Sequence, residues 1–154
     1  MLCGMAHDYV GAELTVGHRD SELNERLSKG LDEINFPATG TTAADEGTLS
    51  VKAVDGGGEL IGGLSAWTWG GLLGIEMLWV RKESRREGWG SKLLLAAEEE
   101  ARRRGCDRVC VSSFTFQAPE FYQRHGYVET GRTPGIPGGA EDVHMYKDLN
   151  GDLT

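Results

Sequence analysis

The 154 residues predict one α+β domain, a three-layer α/β/α arrangement in which helices flank a mixed, mostly antiparallel sheet of six to seven strands. Three observations lead there. Stretches of period-two alternation, separated by glycine turns, fill the middle of the first half. A helical period of three to four replaces it twice, once before those stretches and once after. The length fits a single domain, and a chain of this size buries roughly 68–70% of its unfolded surface, so it needs no metal or disulfide staple.

In order along the chain, residues 12–16 read as a short first strand. From Asp20 to about Phe36, Leu23, Leu27, Leu31 and Ile34 recur at spacings of four and three and form one apolar helix face. Asp20 or Ser21 can cap its first turn, and Pro37 is expected to end it. Residues 48–55 alternate as a half-buried strand. Gly56–Gly58 turn the chain into a strand over 59–69, and Gly70-Gly71 turn it again into one over 72–80, making an antiparallel meander. Leu93, Leu94, Ala97 and Ala101 then share a face of a helix over 90–104, closed by Gly105. A strand over 108–114 follows, and a short helix opens at Pro119, a favoured first helical position. Residues 127–130 and 142–147 read as a last strand pair joined by a Gly/Pro-rich loop over 131–139. Residues 1–10 and 150–154 read as frayed ends of the single domain.

Composition excludes several function classes. The formal net charge is −8, which argues against a nucleic-acid binder, since neutralising phosphates takes clustered Lys and Arg. No apolar run approaches the ~20 residues of a membrane span. The first eight residues lack the basic region and apolar core of a secretory leader. Three cysteines, Cys3, Cys106 and Cys110, make no disulfide framework, so a reducing cytoplasm is the expected location. No His or Cys pair lies near Cys106 and Cys110 to complete a zinc site, and no metal is expected. The charge is also uneven. Between Arg81 and Arg104 eight basic residues face five acidic ones, a balance of +3, while the remainder carries eight against nineteen, or −11. That asymmetry suggests an anionic ligand at the basic segment and a cationic one elsewhere, with a solvated helix face as the plain alternative.

The stretch from Leu78 to Lys92 carries the chemistry. A strand ends, a turn follows, and Gly88 and Gly90 stand where a long helix begins. Such a junction aims unpaired backbone N–H groups and the positive end of a helix dipole at one spot, which suits a phosphate or pyrophosphate. A Walker loop is excluded because the order is Gly90-Ser91-Lys92. A dinucleotide fingerprint is excluded because Leu93 stands where its third glycine belongs.

Arg85-x-x-Gly88-x-Gly90, after the strand ending at Val80, resembles the Gln/Arg-x-x-Gly-x-Gly/Ala pyrophosphate signature of the GNAT superfamily of N-acetyltransferases. A second block, Ala118-Pro-Glu-Phe121-Tyr122-Gln-Arg-His-Gly126-Tyr127, is similar to the family's Ala-x-x-Phe-Tyr-x-x-x-Gly-Phe/Tyr motif. The resemblance implies a sheet that splays between its fourth and fifth strands, with acetyl-CoA in the opening and no metal. It implies that the backbone of Leu78, Trp79 and Val80 pairs with the pantetheine arm. Arg85, Arg86, Glu87, Gly88, Trp89, Gly90 and Ser91 would form the pyrophosphate loop, and Arg124 would reach the 3′-phosphate unless it is a plain surface arginine.

Tyr122 falls where many members place the general acid that protonates the departing thiolate; the alternative is a core tyrosine beside Phe121. Glu76, two residues before Leu78, is the candidate base, with a structural ion pair as its alternative and His144 as a further candidate. Two departures stand out. Thr115 occupies the place of a frequent Asn, and the glutamate that histone-directed members use would fall at Gly74. Trp67 and Trp69 share a strand face, read as packing. The acceptor is expected between the exit of the first helix, 35–40, and the loop 131–139, with Glu129, Glu141 and Asp142 available to an ammonium group.

The resulting expectation is transfer of acetyl to a primary amine of a small cationic molecule, in a cytoplasmic protein that engages neither nucleic acid nor membrane. A homodimer is left open. The alternatives are a protein lysine or N-terminal acetyltransferase and a non-catalytic acyl-CoA-binding module.

Overall fold

A computed structural model describes residues 11–151, so the frayed end expected at 1–10, with Cys3, and all but residues 150 and 151 of the one expected at 150–154 lie outside the described residues. The elements are α1 (Ser21–Thr39), β1 (Glu46–Val54), β2 (Leu60–Trp69), β3 (Leu72–Val80), α2 (Trp89–Arg103), β4 (Arg108–Phe114), α3 (Pro119–Arg124), β5 (Val128–Ile136) and β6 (Ala140–Asp148). Short 3-10 turns at Ala43–Asp45 and Lys82–Ser84 lead into β1 and away from β3. Six strands form one sheet in the order β1-β2-β3-β4-β6-β5, and only the β3–β4 pair is parallel.

Each junction follows from local chemistry. The Asp20 carboxylate accepts from the Leu23 N–H at 3.0 Å and starts α1. Gly40, at φ +67°, ends it by donating its N–H to the Phe36 carbonyl. The helix therefore runs past Pro37. A proline in the last turn forfeits one backbone bond, and Thr39 Oγ1, donating to the Asn35 carbonyl at 2.7 Å, helps hold that turn.

The first strand expected at 12–16 does not form. Those residues have no ladder partner, and Leu14 and Val16 are fully exposed. Alternation alone makes no strand, because the backbone groups need a partner. The stripe of Leu23, Leu27, Leu31 and Ile34 does form on α1, yet each of the four is more than half exposed and α1 buries none of its side chains.

The hairpin near the C-terminus is longer than expected. Most of the expected loop, residues 131–136, belongs to β5, with register irregularities after Glu129 and Thr133, and the turn shrinks to residues 137–139. As the sheet's edge, β5 tolerates Pro134, which has no N–H to give, and a bulge at Gly135.

The core lies between one sheet face and helices α2 and α3. Leu94, Ala97, Ala101 and Tyr122 pack on Leu64, Ala66, Leu73, Ile75, Val109, Val111, Val143 and Met145. Alternation of the strands puts Ser65, Trp67 and Trp69 of β2, Cys110 and Ser112 of β4, and Asp142, His144 and Tyr146 of β6 on the opposite face.

The parallel pair is what opens the sheet. β3 and β4 are in register only at Leu72–Arg108, Leu73–Val109 and Gly74–Cys110. Beyond Gly74, β3 stays with β2 as far as Val80, and β4 stays with β6 as far as Phe114. The two strands part into a fork whose inner edges carry backbone N–H and C=O groups outside any ladder. Glu76 sits at the branching point. Ala66 pairs with Ile75 and Ser65 with Met77, so Glu76 is the unpaired residue of a bulge, which bends β3 away.

Candidate active site

The turn leaving β3 is held by its own arginines. Arg81 donates from Nε to Ser84 Oγ at 2.7 Å and from Nη1 to Asp55 Oδ2 at 2.9 Å. That bond, with backbone N–H donation from Glu59 and Gly57, holds the Asp55 carboxyl below its ordinary range. Arg85 Nε donates back to the Val80 carbonyl at 3.0 Å and fixes the loop to the end of the strand. Arg86 has φ +72°, and it is the one non-glycine residue with positive φ among the described residues. Left-handed backbone at an arginine is strained, and strain of this kind collects at ligand-binding loops.

Gly88, at φ +82°, is the N-cap of α2 and brings no side chain to cap it. The first N–H groups of α2 therefore point outward with the positive end of the helix dipole behind them. Gly90 follows in the first turn, where a Cβ would stand in ordinary contact with the Phe121 ring of α3, 3.4 Å away. Trp89 Nε1 donates to Glu87 Oε2 at 3.3 Å, and Lys92 Nζ lies 4.3 Å from the Trp89 ring centroid. Residues 85–91 thus form a turn that leads into the uncapped start of α2, beside the open edge of β3, which contains Leu78, Trp79 and Val80.

Tyr122 projects from α3 into the core with 6% of its surface exposed. Its ring meets Phe121 edge-on at 5.2 Å and Tyr127 at 5.5 Å. Burial pushes its phenol up to about 12 and that of Tyr127 higher still. Both remain protonated at neutral pH. Arg124 lies exposed in the last turn of α3, and Glu76 is exposed at the bulge.

On the other sheet face, behind the fork, Trp67, Gly74, Cys110, Ser112, Thr130, His144 and Tyr146 line a cavity of about 360 Å³. The Trp67 indole fills the space over Gly74, where a Cβ would lie 2.0 Å from its Cε2. A glutamate at position 74 is sterically excluded while Trp67 stays in place. Trp67 is therefore both packing and cavity wall. His144 Nε2 is 2.9 Å from Thr133 Oγ1. Burial raises the Cys106 and Cys110 thiols, which favours inert, protonated sulfur. Among the described residues no three His, Cys, Asp or Glu side chains converge as a metal site would require.

The two expected acceptor walls stand apart. The exit of α1 leads to Thr41, whose methyl lies 3.5 Å from a Cβ built at Gly70, at the closed end of the sheet. The β5–β6 hairpin does reach the fork. Thr115 donates its N–H to the Glu141 carbonyl and accepts from the Glu141 N–H at Oγ1, tying the ends of β4 and β6 together. Of the three carboxylates there, Glu129 and Glu141 both pair with Arg132. Asp142 has no ion-pair partner among the described residues, and it shares the cavity's sheet face.

Sequence reasoning missed two contacts. The buried Lys147 donates from Nζ to Glu98 Oε1 at 2.8 Å, joining β6 to α2. Ser91 Oγ lies 2.9 Å from His125 Nε2, joining the start of α2 to α3. Glu98 sits on the apolar face of α2, between Leu94 and Ala101, and a charge in that stripe was the available signal. Nothing in the spacing of Ser91 and His125 announces their bond.

A forked parallel strand pair, an open helix start at its mouth and a buried phenol beside it together define an acyltransferase scaffold. Comparison with known proteins narrows the class. The model of the acetyltransferase (GNAT) family matches residues 14–127. Blasticidin-S acetyltransferase of Streptomyces morookaense is 41% identical over 96 residues, which cover 60% of this chain and 68% of that protein. Acetyltransferase Atu2258 of Agrobacterium fabrum is 29% identical over 128 residues, covering 83% and 92%. The crystal structure of an acetyltransferase from Agrobacterium tumefaciens aligns at a TM-score of 0.80 and 26% identity, over 89% of this chain and 98% of that one. The chain belongs to the GNAT family of acetyltransferases.

Proposed function

We propose that this acetyltransferase transfers the acetyl group of acetyl-CoA to a primary amine of a small cationic molecule, by direct attack in a ternary complex. The observation that carries the reading is the fork itself. Its open β3 edge offers backbone partners to a pantetheine arm, and the α2 start offers N–H groups to a pyrophosphate a few residues further on. Among the described residues the one hydrogen-bonded Ser–His pair, Ser91 and His125, stands at the start of α2 and does not line the recess, and burial raises the Cys110 thiol, which supports direct transfer over a covalent enzyme intermediate.

The amine lone pair attacks the thioester carbonyl carbon, whose oxygen is polarised by backbone N–H groups at the fork. As the tetrahedral intermediate collapses, the C–S bond breaks and the thiolate takes the proton of Tyr122. The ammonium proton lost from the acceptor passes through water to Glu76, with His144 as the other group near its path. Glu76 is exposed, which suits a base that works through solvent. A small acceptor is supported over a protein lysine by the relative from Streptomyces morookaense, a blasticidin-S acetyltransferase. The open recess behind the fork, lined by Trp67, His144 and Tyr146, is its proposed seat. The surplus negative charge outside 81–104, with Asp142 beside the recess, favours a cation.

Incubation with acetyl-CoA and a panel of small amines tests the reading, with free thiol and product mass as readouts. Thiol release is expected with at least one compact polyamine, amino sugar or nucleoside-type amine, with a product 42 Da heavier, roughly the mass of one transferred acetyl group on nitrogen. Release only with peptides would move the acceptor class to proteins. Acetyl-CoA binding without turnover on any amine or peptide would favour the non-catalytic module.

A further inference from the structure

We propose that His125 is a positioning residue for the cofactor, one that sets the direction of the Ser91 hydroxyl and makes coenzyme A binding proton-linked. The inference rests on reading 85–91 as the pyrophosphate loop. Ser91 is the third residue of α2, so its side chain stands among the open N–H groups of the helix start. Its Oγ lies 2.9 Å from His125 Nε2, and both residues are half-buried.

A serine hydroxyl has one proton, and the pair can share it in two ways. When the hydroxyl donates to Nε2, only oxygen lone pairs remain for anything seated on the loop, and these repel a phosphate. When Nε2–H donates to Oγ, the hydroxyl proton is free to meet a phosphate oxygen. An anion on the loop selects the second arrangement. A neutral imidazole reaches it only as the Nε2–H tautomer, whereas an imidazolium holds it always and adds a positive charge. Protonation of His125 therefore favours the bound state, and bound coenzyme A favours protonation.

The ring is fixed for this task. It packs on Phe121 at 4.8 Å between centroids, and Phe121 lies against Gly90. Gly90, Ser91, Phe121 and His125 thus pack together, next to Tyr122. Glu120 and Arg124 are the charged residues of α3, the helix that His125 caps. From β6 and α2 comes the Lys147–Glu98 pair, whose Lys147 Nζ is 4.0 Å from a Cβ built at Gly126. From α2 itself Ser91 faces the ring.

Calorimetric titration with coenzyme A tests this at about pH 5.5 and pH 8, using wild type, His125→Gln, His125→Phe and Ser91→Ala. The 3′-phosphate of the ligand titrates as well, so the quantity read is the ratio of wild-type to variant affinity at each pH. Glutamine keeps an uncharged N–H donor near Nε2. Its affinity should match wild type within about twofold at the higher pH and fall behind by about three- to tenfold at the lower, the scale of a charge-assisted hydrogen bond. His125→Phe and Ser91→Ala should bind more weakly at both. A wild-type to glutamine ratio that does not change with pH, in proteins that all bind coenzyme A, overturns the proposal and leaves the loop reading intact. Unchanged affinity in His125→Phe does the same. No binding by the wild type overturns the loop reading, and the proposal with it.

Discussion

Burial holds the Tyr122 phenol at about 12, so it keeps its proton at neutral pH, as the proposed role of general acid requires. Tyr122→Phe keeps the ring and removes only the hydroxyl. The variant is expected to lose about 10²- to 10⁴-fold in kcat, the usual contribution of a positioned acid, with acetyl-CoA affinity little changed. The same substitution has a second readout. An unfolded tyrosine ionises near 10 while folded Tyr122 does not until about 12, so its contribution to stability is complete below pH 10 and is lost between 10 and 12. Removing the group should flatten that alkaline loss by an amount of order 2–3 kcal/mol, read from denaturant unfolding at successive pH values. Near-normal turnover with a flattened alkaline profile would make Tyr122 a core residue and nothing more. Residues differ in how plainly the sequence announced them. Gly88, Gly90 and Tyr122 belong to spaced motifs and were legible. Trp67 over Gly74 was not, because two residues seven apart come together only once β2 and β3 have paired.

Elements with partners close in sequence were read well. The β1–β2–β3 meander has glycine turns, and α2 and α3 carry their stop and start signals, so their bounds agree within two residues. Elements whose existence depends on distant partners were not. Residues 12–16 alternate like a strand and find no ladder, and the α1 stripe finds no surface to bury it. The hairpin reads as a loop from its Gly and Pro content because the sequence does not say that β5 is an edge, where such residues are tolerated. The Glu98–Lys147 pair shows what distant contacts contribute between elements. It ties α2, the helix that begins at the proposed cofactor loop, to β6, the strand that carries His144 and Asp142. Lys147→Met leaves a buried carboxylate without its partner and should cost about 3–5 kcal/mol. Adding Glu98→Leu should recover most of that loss, because it removes the stranded charge. Thermal unfolding of the two variants measures it. A double variant less stable than the single one would mean that the pair contributes net stability that apolar packing cannot replace.

At the scale of the molecule, one end of the sheet is closed by the β2–β3 turn and the other is forked. The basic surplus gathers on the segment that runs from the forked end along α2, while the acidic surplus lies elsewhere. The forked end thus separates the turn at the start of α2 from a recess on the opposite sheet face. In the proposed reaction that division gives the acetyl-CoA thioester and a cationic amine separate approaches to the same opening. The central claim is that residues 85–91 seat the cofactor's pyrophosphate, and calorimetry with acetyl-CoA on wild type, Gly88→Glu and Gly90→Glu tests it most directly. Gly88→Glu places a carboxylate at a left-handed N-cap, and Gly90→Glu places one against Phe121 at the helix start, both where phosphates would sit. Wild type should bind, and each folded variant should lose affinity by about 100-fold or more, equivalent to about 2.7 kcal/mol. Wild-type affinity in both variants would contradict the account.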